Sequence, residues 1–148
     1  IRKMSIKLVE TEEKHMREIF ELLQVISNFY PKQKEFKKLW SEFIDQKHVF
    51  SIVALEINLC DLEEKIVGFG SLHLSKKIRG GLIGFIEDIV VLEDYRMRGI
   101  GNMIINELIN KAKTKGCYKL VLECREKTKN FYKKIGFNES GLSMTMIL

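Results

Sequence analysis

The apolar positions change period along the chain, and the changes mark its elements. Residues 6–9 alternate polar and apolar, the spacing of a half-buried strand. Met16, Ile19, Phe20 and Leu23 then recur at helical spacing. Thr11 is placed to cap that helix, with Glu12 and Glu13 at the positive end of its dipole. Pro31 opens a second helix. Its stripe of Phe36, Leu39, Trp40, Phe43 and Ile44 predicts a core face, with Trp40 buried. Residues 49–57 and 66–75 read as two strands of a hairpin around the polar, acidic loop 58–65.

A basic loop, 76–81, ends in glycine and leads into a strand over 84–92. Residues 99–115 form a long helix with Ile105, Leu108, Ile109 and Ala112 on one face, stopped by Gly116. A short strand at 119–124 and a short helix at 128–135 follow, the helix stopped by Gly136. Leu142, Met144, Met146 and Leu148 alternate as a last strand. The order β-α-α-β-β-β-α-β-α-β predicts an α/β fold: a mixed sheet with helices on both faces. No repeat, low-complexity run or Pro/Ser-rich linker interrupts residues 1–148, which read as a single domain.

Composition narrows the partners. Apolar residues make up 45% and charged residues 30%, ordinary for a soluble globular chain. No run approaches the roughly 18 apolar residues of a membrane span, and no leader pattern stands at Ile1. The net charge of +5 favours anionic ligands, but Lys and Arg are dispersed and not interleaved with aromatics, which argues against nucleic acid. Cys60, Cys117 and Cys124 are odd in number without C-x-x-C spacing, as expected of free thiols in the cytoplasm. His15, His48 and His73 are scattered, and no cluster has metal-ligand spacing, so no metal is expected.

The chemistry concentrates after the strand 86–92. Arg96-Met97-Arg98-Gly99-Ile100-Gly101 is a loop with two arginines and two glycines that runs straight into a helix. Glycines let backbone N–H groups approach an anion, and the helix adds its unpaired first-turn donors and dipole. Arginine suits phosphate because its planar fork donates two parallel hydrogen bonds. The pattern reads as a cradle for a pyrophosphate. Glu87 and Asp88 interrupt an otherwise apolar strand; as strand neighbours they should point to opposite faces and serve different roles.

This loop, its place between strand and long helix, and the order of elements resemble the GNAT superfamily of N-acetyltransferases. Three further stretches resemble its glucosamine 6-phosphate N-acetyltransferase group: Gly84-Phe85-Ile86-Glu87-Asp88-Ile89-Val90-Val91, Gly116-Cys117-Tyr118-Lys119-Leu120-Val121-Leu122-Glu123-Cys124, and Phe131-Tyr132-Lys133-Lys134-Ile135-Gly136-Phe137. The resemblance is strong over 84–137 and loose before that. It implies a mostly antiparallel, twisted sheet flanked by helices and transfer of an acetyl group from acetyl-CoA to the amine of D-glucosamine 6-phosphate. That step would feed amino-sugar nucleotide synthesis.

The resemblance also implies roles. Ile89, Val90 and Val91, the loop Arg96, Met97, Arg98, Gly99, Ile100 and Gly101, and Phe131, Tyr132 and Lys133 would bind acetyl-CoA. Glu87, Asp88, Cys117, Tyr118 and Glu123 would bind the acceptor. Glu123 would accept or relay the amine's proton and Tyr132 would protonate the departing sulfur. A homodimer is implied as well. Departures are visible: Phe85 stands where the group often has His or Arg, and 128–130 reads Thr-Lys-Asn where its helix usually opens with Asn-Val. The stretch Met144-Thr145-Met146-Ile147-Leu148 carries no arginine for the sugar phosphate, for which Lys76, Lys77 or Arg79 are the substitutes. Other readings are a GNAT enzyme acting on another primary amine (a protein N-terminus, a polyamine or an arylalkylamine) and a non-catalytic acyl-CoA-binding module.

Overall fold

The computed structural model describes residues 3–148. Five strands form one sheet in chain order: β1 (Met4–Glu10), β2 (Val49–Asn58), β3 (Glu64–Lys76), β4 (Leu82–Val91) and β5 (Lys119–Leu122). The first four pair antiparallel, β1 reaching β2 through the two helices of 11–48 and β2, β3 and β4 following one another by short hairpin loops, and β5 pairs parallel with β4. The parallel step requires a crossover, which α3 (Ile100–Lys115) supplies. Ile100, Ile104, Ile105, Leu108 and Ala112 of α3 are buried against Ile52, Ala54, Val67, Leu72 and Ile86 of the sheet. On the opposite face, Ile19 and Leu22 of α1 (Met16–Leu23) cover Val53, Leu55, Phe69 and Val90. The expected sheet with helices on both faces is therefore present, and α3 ends at Gly116 with φ of 87°, a left-handed C-terminal stop.

Two glycines let α3 sit so close. A Cβ on Gly70 would lie 2.6 Å from Ile89 Cδ1 and 2.7 Å from Ile104 Cγ2. One on Gly68 would lie 2.8 Å from Ile104 Cδ1. Gly70 also stands at an irregularity that matters for the site. Phe69 pairs with Val90 but Ser71 with Glu87, so β4 carries one extra residue there. Asp88 absorbs it in a left-handed conformation, φ 56°.

Three sequence expectations are corrected. Thr11 is not the cap of α1: its N–H donates to Ser51 O at 3.2 Å, continuing the β1 pairing, and its buried hydroxyl has no partner. A short 3-10 turn, Glu13–His15, precedes α1, and its cap is Glu12, whose N–H donates to Nδ1 of the buried His15 at 3.0 Å. Burial lowers the His15 pKa, which keeps the ring in the neutral form that this bond requires. Secondly, α2 (Phe36–Ile44) buries no residue fully. Trp40 is half-buried and Ile44 is 55% exposed, so the stripe lies along the rim of the molecule rather than in its core. Thirdly, 142–148 forms no strand. Leu142, Met144, Met146 and Leu148 are 97%, 94%, 81% and 110% exposed, since an alternating segment becomes a strand only against a partner edge.

Candidate active site

The site begins where β4 and β5 part. Their pairing runs from Ile83–Lys119 to Ile86–Leu122 and stops. Beyond it β4 continues to Val91 against β3 alone, while the chain leaves β5 as Glu123-Cys124-Arg125. A cleft of about 900 Å³ opens in the split. One strand edge, from Glu87 to Val91, thus faces the cleft with main-chain donors and acceptors that β5 does not take up.

Three carboxylates line this cleft: Glu87, Asp88 and Glu123. The expectation that Glu87 and Asp88 face apart rests on strand alternation, which the extra residue and the left-handed Asp88 interrupt here; both residues line the cleft. Glu123, one residue past β5, accepts a 2.6 Å hydrogen bond at Oε1 from Ser143 Oγ. Tyr132, on α4 (Lys129–Ile135), reaches the cleft from the far side. Phe131 and Phe137 hold its ring edge-on, at 5.0 and 6.0 Å between centroids. Burial pushes the Tyr132 phenol above its ordinary value, so it stays a proton donor.

Next to the cleft the chain makes the loop that opens α3. Met97 and Gly99 both have left-handed backbones, φ 63° and 79°, on either side of Arg98. Such alternation turns successive N–H groups toward one point, and the first turn of α3 adds its unpaired donors. Ile100 is 2% exposed and in the core, so only its main chain is available to a ligand. Arg96 lines the cleft, and its Nε–H donates to Val91 O at 3.2 Å, which ties the loop to the strand end. Under Gly101 lies Phe131: a Cβ there would meet the ring at 3.2 Å, so the glycine lets α4 pack beneath the loop. This donor set fits a diphosphate.

Sequence reasoning missed what braces the loop. Tyr95 donates a 2.6 Å hydrogen bond to Glu56 Oε1, and the Arg98 guanidinium lies 4.7 Å over the Tyr95 ring. Glu56 is buried on β2, 8% exposed. The hydrogen bond to Glu56, and then burial, raise the Tyr95 pKa. Replacing Tyr95 with Phe leaves that carboxylate without its donor, which costs about 1–3 kcal/mol. The variant is expected to melt about 2–8 °C lower by calorimetry and to show a raised KM for acetyl-CoA.

Not every expected residue joins the site. Cys117 and Tyr118 line a separate groove of about 460 Å³ between α3, β5 and α4, away from Glu123. Burial pushes the Cys117 thiol up, and Tyr118 is 63% exposed beside Gly81. Lys133 is ion-paired with Glu139 at 3.2 Å. Conversely, Val25 and Ile26 after α1, and Arg125, Lys127 and Thr128 after β5, line the cleft without any motif having marked them. The three cysteines are free, and among the described residues no group of three His, Cys, Asp or Glu is placed to hold a metal.

The acetyltransferase (GNAT) family profile matches residues 16–137. Glucosamine 6-phosphate N-acetyltransferase 1 of Dictyostelium discoideum is 36% identical over 131 residues, covering 86% of this chain and 81% of its own. The glucosamine 6-phosphate N-acetyltransferase of Trypanosoma brucei brucei is 42% identical over 86 residues, 57% of this chain and 58% of its own length. The crystal structure of glucosamine-6-phosphate N-acetyltransferase from Arabidopsis thaliana superposes with a TM-score of 0.85 at 27% identity, covering 97% of this chain and 98% of that one.

Proposed function

We propose, since the chain belongs to the acetyltransferase (GNAT) family, that it transfers the acetyl group of acetyl-CoA to the amine of D-glucosamine 6-phosphate. The observation that carries this reading is the split between β4 and β5. It sets three carboxylates beside an unpaired strand edge, with a phenol across the cleft and an N–H cradle at its end. The names of the relatives point to the same acceptor.

In the proposed reaction the diphosphate of acetyl-CoA rests on the N–H groups of 97–101, with Arg96 and Arg98 beside it. The pantetheine arm runs along the open edge of β4, and an N–H among Ile89, Val90 and Val91 donates to the thioester oxygen. A preorganised donor of this kind contributes about 3 kcal/mol as negative charge develops there. The acceptor arrives largely as an ammonium ion. Glu123 accepts its proton, directly or through one water, and the freed nitrogen attacks the carbonyl carbon. The carbon–sulfur bond then breaks, the Tyr132 hydroxyl gives its proton to the thiolate, and the second proton shed by the nitrogen as the amide forms returns to the phenolate through water. Glu87 and Asp88 orient the sugar.

The phosphate of the acceptor needs cations. Arg125 and Lys127 line the cleft, and the Lys77 ammonium lies 5.5 Å over the ring of Phe85, another lining residue. These groups take the part for which 142–148 offers no arginine. A second copy of the chain is the proposed partner. The exposed alternation of Leu142, Met144, Met146 and Leu148 supports it, as does the groove against β5, where Ile109, Ala112, Leu120 and Phe137 lie beside Lys113 and Lys119. Sedimentation is expected to give twice the monomer mass and, for Met144→Asp/Met146→Asp, the monomer. Within the described residues no helix is long and apolar enough to cross a membrane, and the three free cysteines support a cytoplasmic setting.

Thiol release from acetyl-CoA, measured against a panel of amines, tests the acceptor. Glucosamine 6-phosphate is expected to exceed glucosamine in kcat/KM by about tenfold or more, the worth of one charge-assisted contact. Equal use of both sugars, or faster use of a polyamine or peptide, contradicts the proposal.

A further inference from the structure

We infer that His73 is a positioning residue for the acceptor, holding the Glu87 carboxylate ready in the cleft; this rests on the reading of that cleft as the amine-binding site. His73 lies on β3 directly across from Phe85 on β4, and its ring reaches the next acid along, with Nε2 3.6 Å from Glu87 Oε2. The same nitrogen is 3.2 Å from Ser71 Oγ. Ser71 is 1% exposed, and its hydroxyl donates to the backbone oxygen of Glu87 at 3.1 Å. A serine has one proton to give. With that proton committed to Glu87 O, the contact with His73 requires Nε2 to carry the hydrogen. The imidazole therefore donates its Nε2–H to the serine oxygen, and the Glu87 carboxylate lies 3.6 Å from that nitrogen, in dipolar contact beyond hydrogen-bond length.

The result is that Glu87 is hydrogen-bonded by Ser71 at its carbonyl and faces the positive edge of the His73 ring at its carboxylate. The first contact steadies the strand immediately before the left-handed Asp88. The second restrains a side chain that is 54% exposed, and a free glutamate side chain loses rotamer entropy when a ligand fixes it. Paying that cost in the free protein favours acceptor binding. The ring itself is well seated. Phe43 of α2 packs edge-on at 6.5 Å, and Val49 is its partner on β2. Both present carbon, and Glu87 is the acid that the structure sets against the ring.

The test is a double-mutant cycle on the full chain with acetyl-CoA and glucosamine 6-phosphate. His73→Phe keeps a ring against Phe43 and removes the N–H. It is expected to raise the acceptor KM about tenfold, with kcat and the KM for acetyl-CoA within about twofold of wild type. His73→Gln, which restores an N–H donor, is expected to recover most of the loss. In a Glu87→Gln background His73→Phe is expected to add no further increase. Ser71→Ala, a small change, is expected to shift acceptor KM the same way by about threefold. An equal penalty for His73→Phe in both backgrounds overturns the inference, as does a loss confined to kcat or to acetyl-CoA binding, or an unchanged KM in Ser71→Ala. A wild type that binds acetyl-CoA but acetylates no amino sugar overturns the acceptor reading, and this inference with it.

Discussion

Glu123→Gln is expected to lower kcat at neutral pH by about 10²–10³-fold, while the KM for acetyl-CoA stays where it was. The amide is nearly isosteric and can still accept the hydrogen bond from Ser143, so the local structure persists. What it cannot do is take a proton from the ammonium ion. The defect should therefore shrink as pH rises, because solvent deprotonates a growing share of the acceptor before it binds. Stopped-flow or steady-state thiol release over a pH series reads both features. Full turnover by the variant at neutral pH would remove Glu123 from the proposed chemistry, leaving Glu87 and Asp88 as the acids beside the open strand edge.

Tyr132→Phe is the second large effect, an expected fall of about 10–100-fold in kcat with both KM values retained. The ring keeps its edge-on contacts with Phe131 and Phe137, so only the hydroxyl is lost. Expelling the thiolate then depends on water. The penalty should diminish for acyl donors whose thiol is more acidic, since these leave without a proton. Wild-type pH dependence carries a related signature. Burial raises the phenol, so the donor form persists to a higher pH than that of a free tyrosine, and any alkaline loss of kcat due to Tyr132 lies above about pH 10. Such a loss should be absent from Tyr132→Phe.

Much of the candidate site was legible in the sequence because its parts are local. The run from Arg96 to Gly101 is a contiguous loop whose glycines and following helix announce an anion site, and Met97 and Gly99 have the left-handed backbones that such a loop needs. The strands were legible from alternation and the long helix from its period and its stop at Gly116. What was not legible depends on pairing. The alternation that would set Glu87 and Asp88 on opposite faces is interrupted by an extra residue of β4 opposite Gly70, which nothing in the composition of β4 reports. Cys117 and Tyr118 lie at the groove against α3 because the path of the chain entering β5 sets their side, and a four-residue strand has too short a pattern to fix it. His73 carries no motif; its partnership with Glu87 exists only once β3 and β4 are in register. Apolar stripes also mislead in one direction. The periodicities of α2 and of 142–148 were real, but a stripe states only that a surface wants cover, and neither is fully covered within the chain.

The most direct measurement of the central claim is a crystal structure of the chain with CoA and glucosamine 6-phosphate. The account predicts the diphosphate on the main-chain N–H groups of 97–101, the sulfur within hydrogen-bonding reach of the Tyr132 hydroxyl, and the sugar amine against Glu123 in the split between β4 and β5. A coenzyme bound outside that loop, or an amine far from Glu123 with the thiol remote from Tyr132, would contradict it.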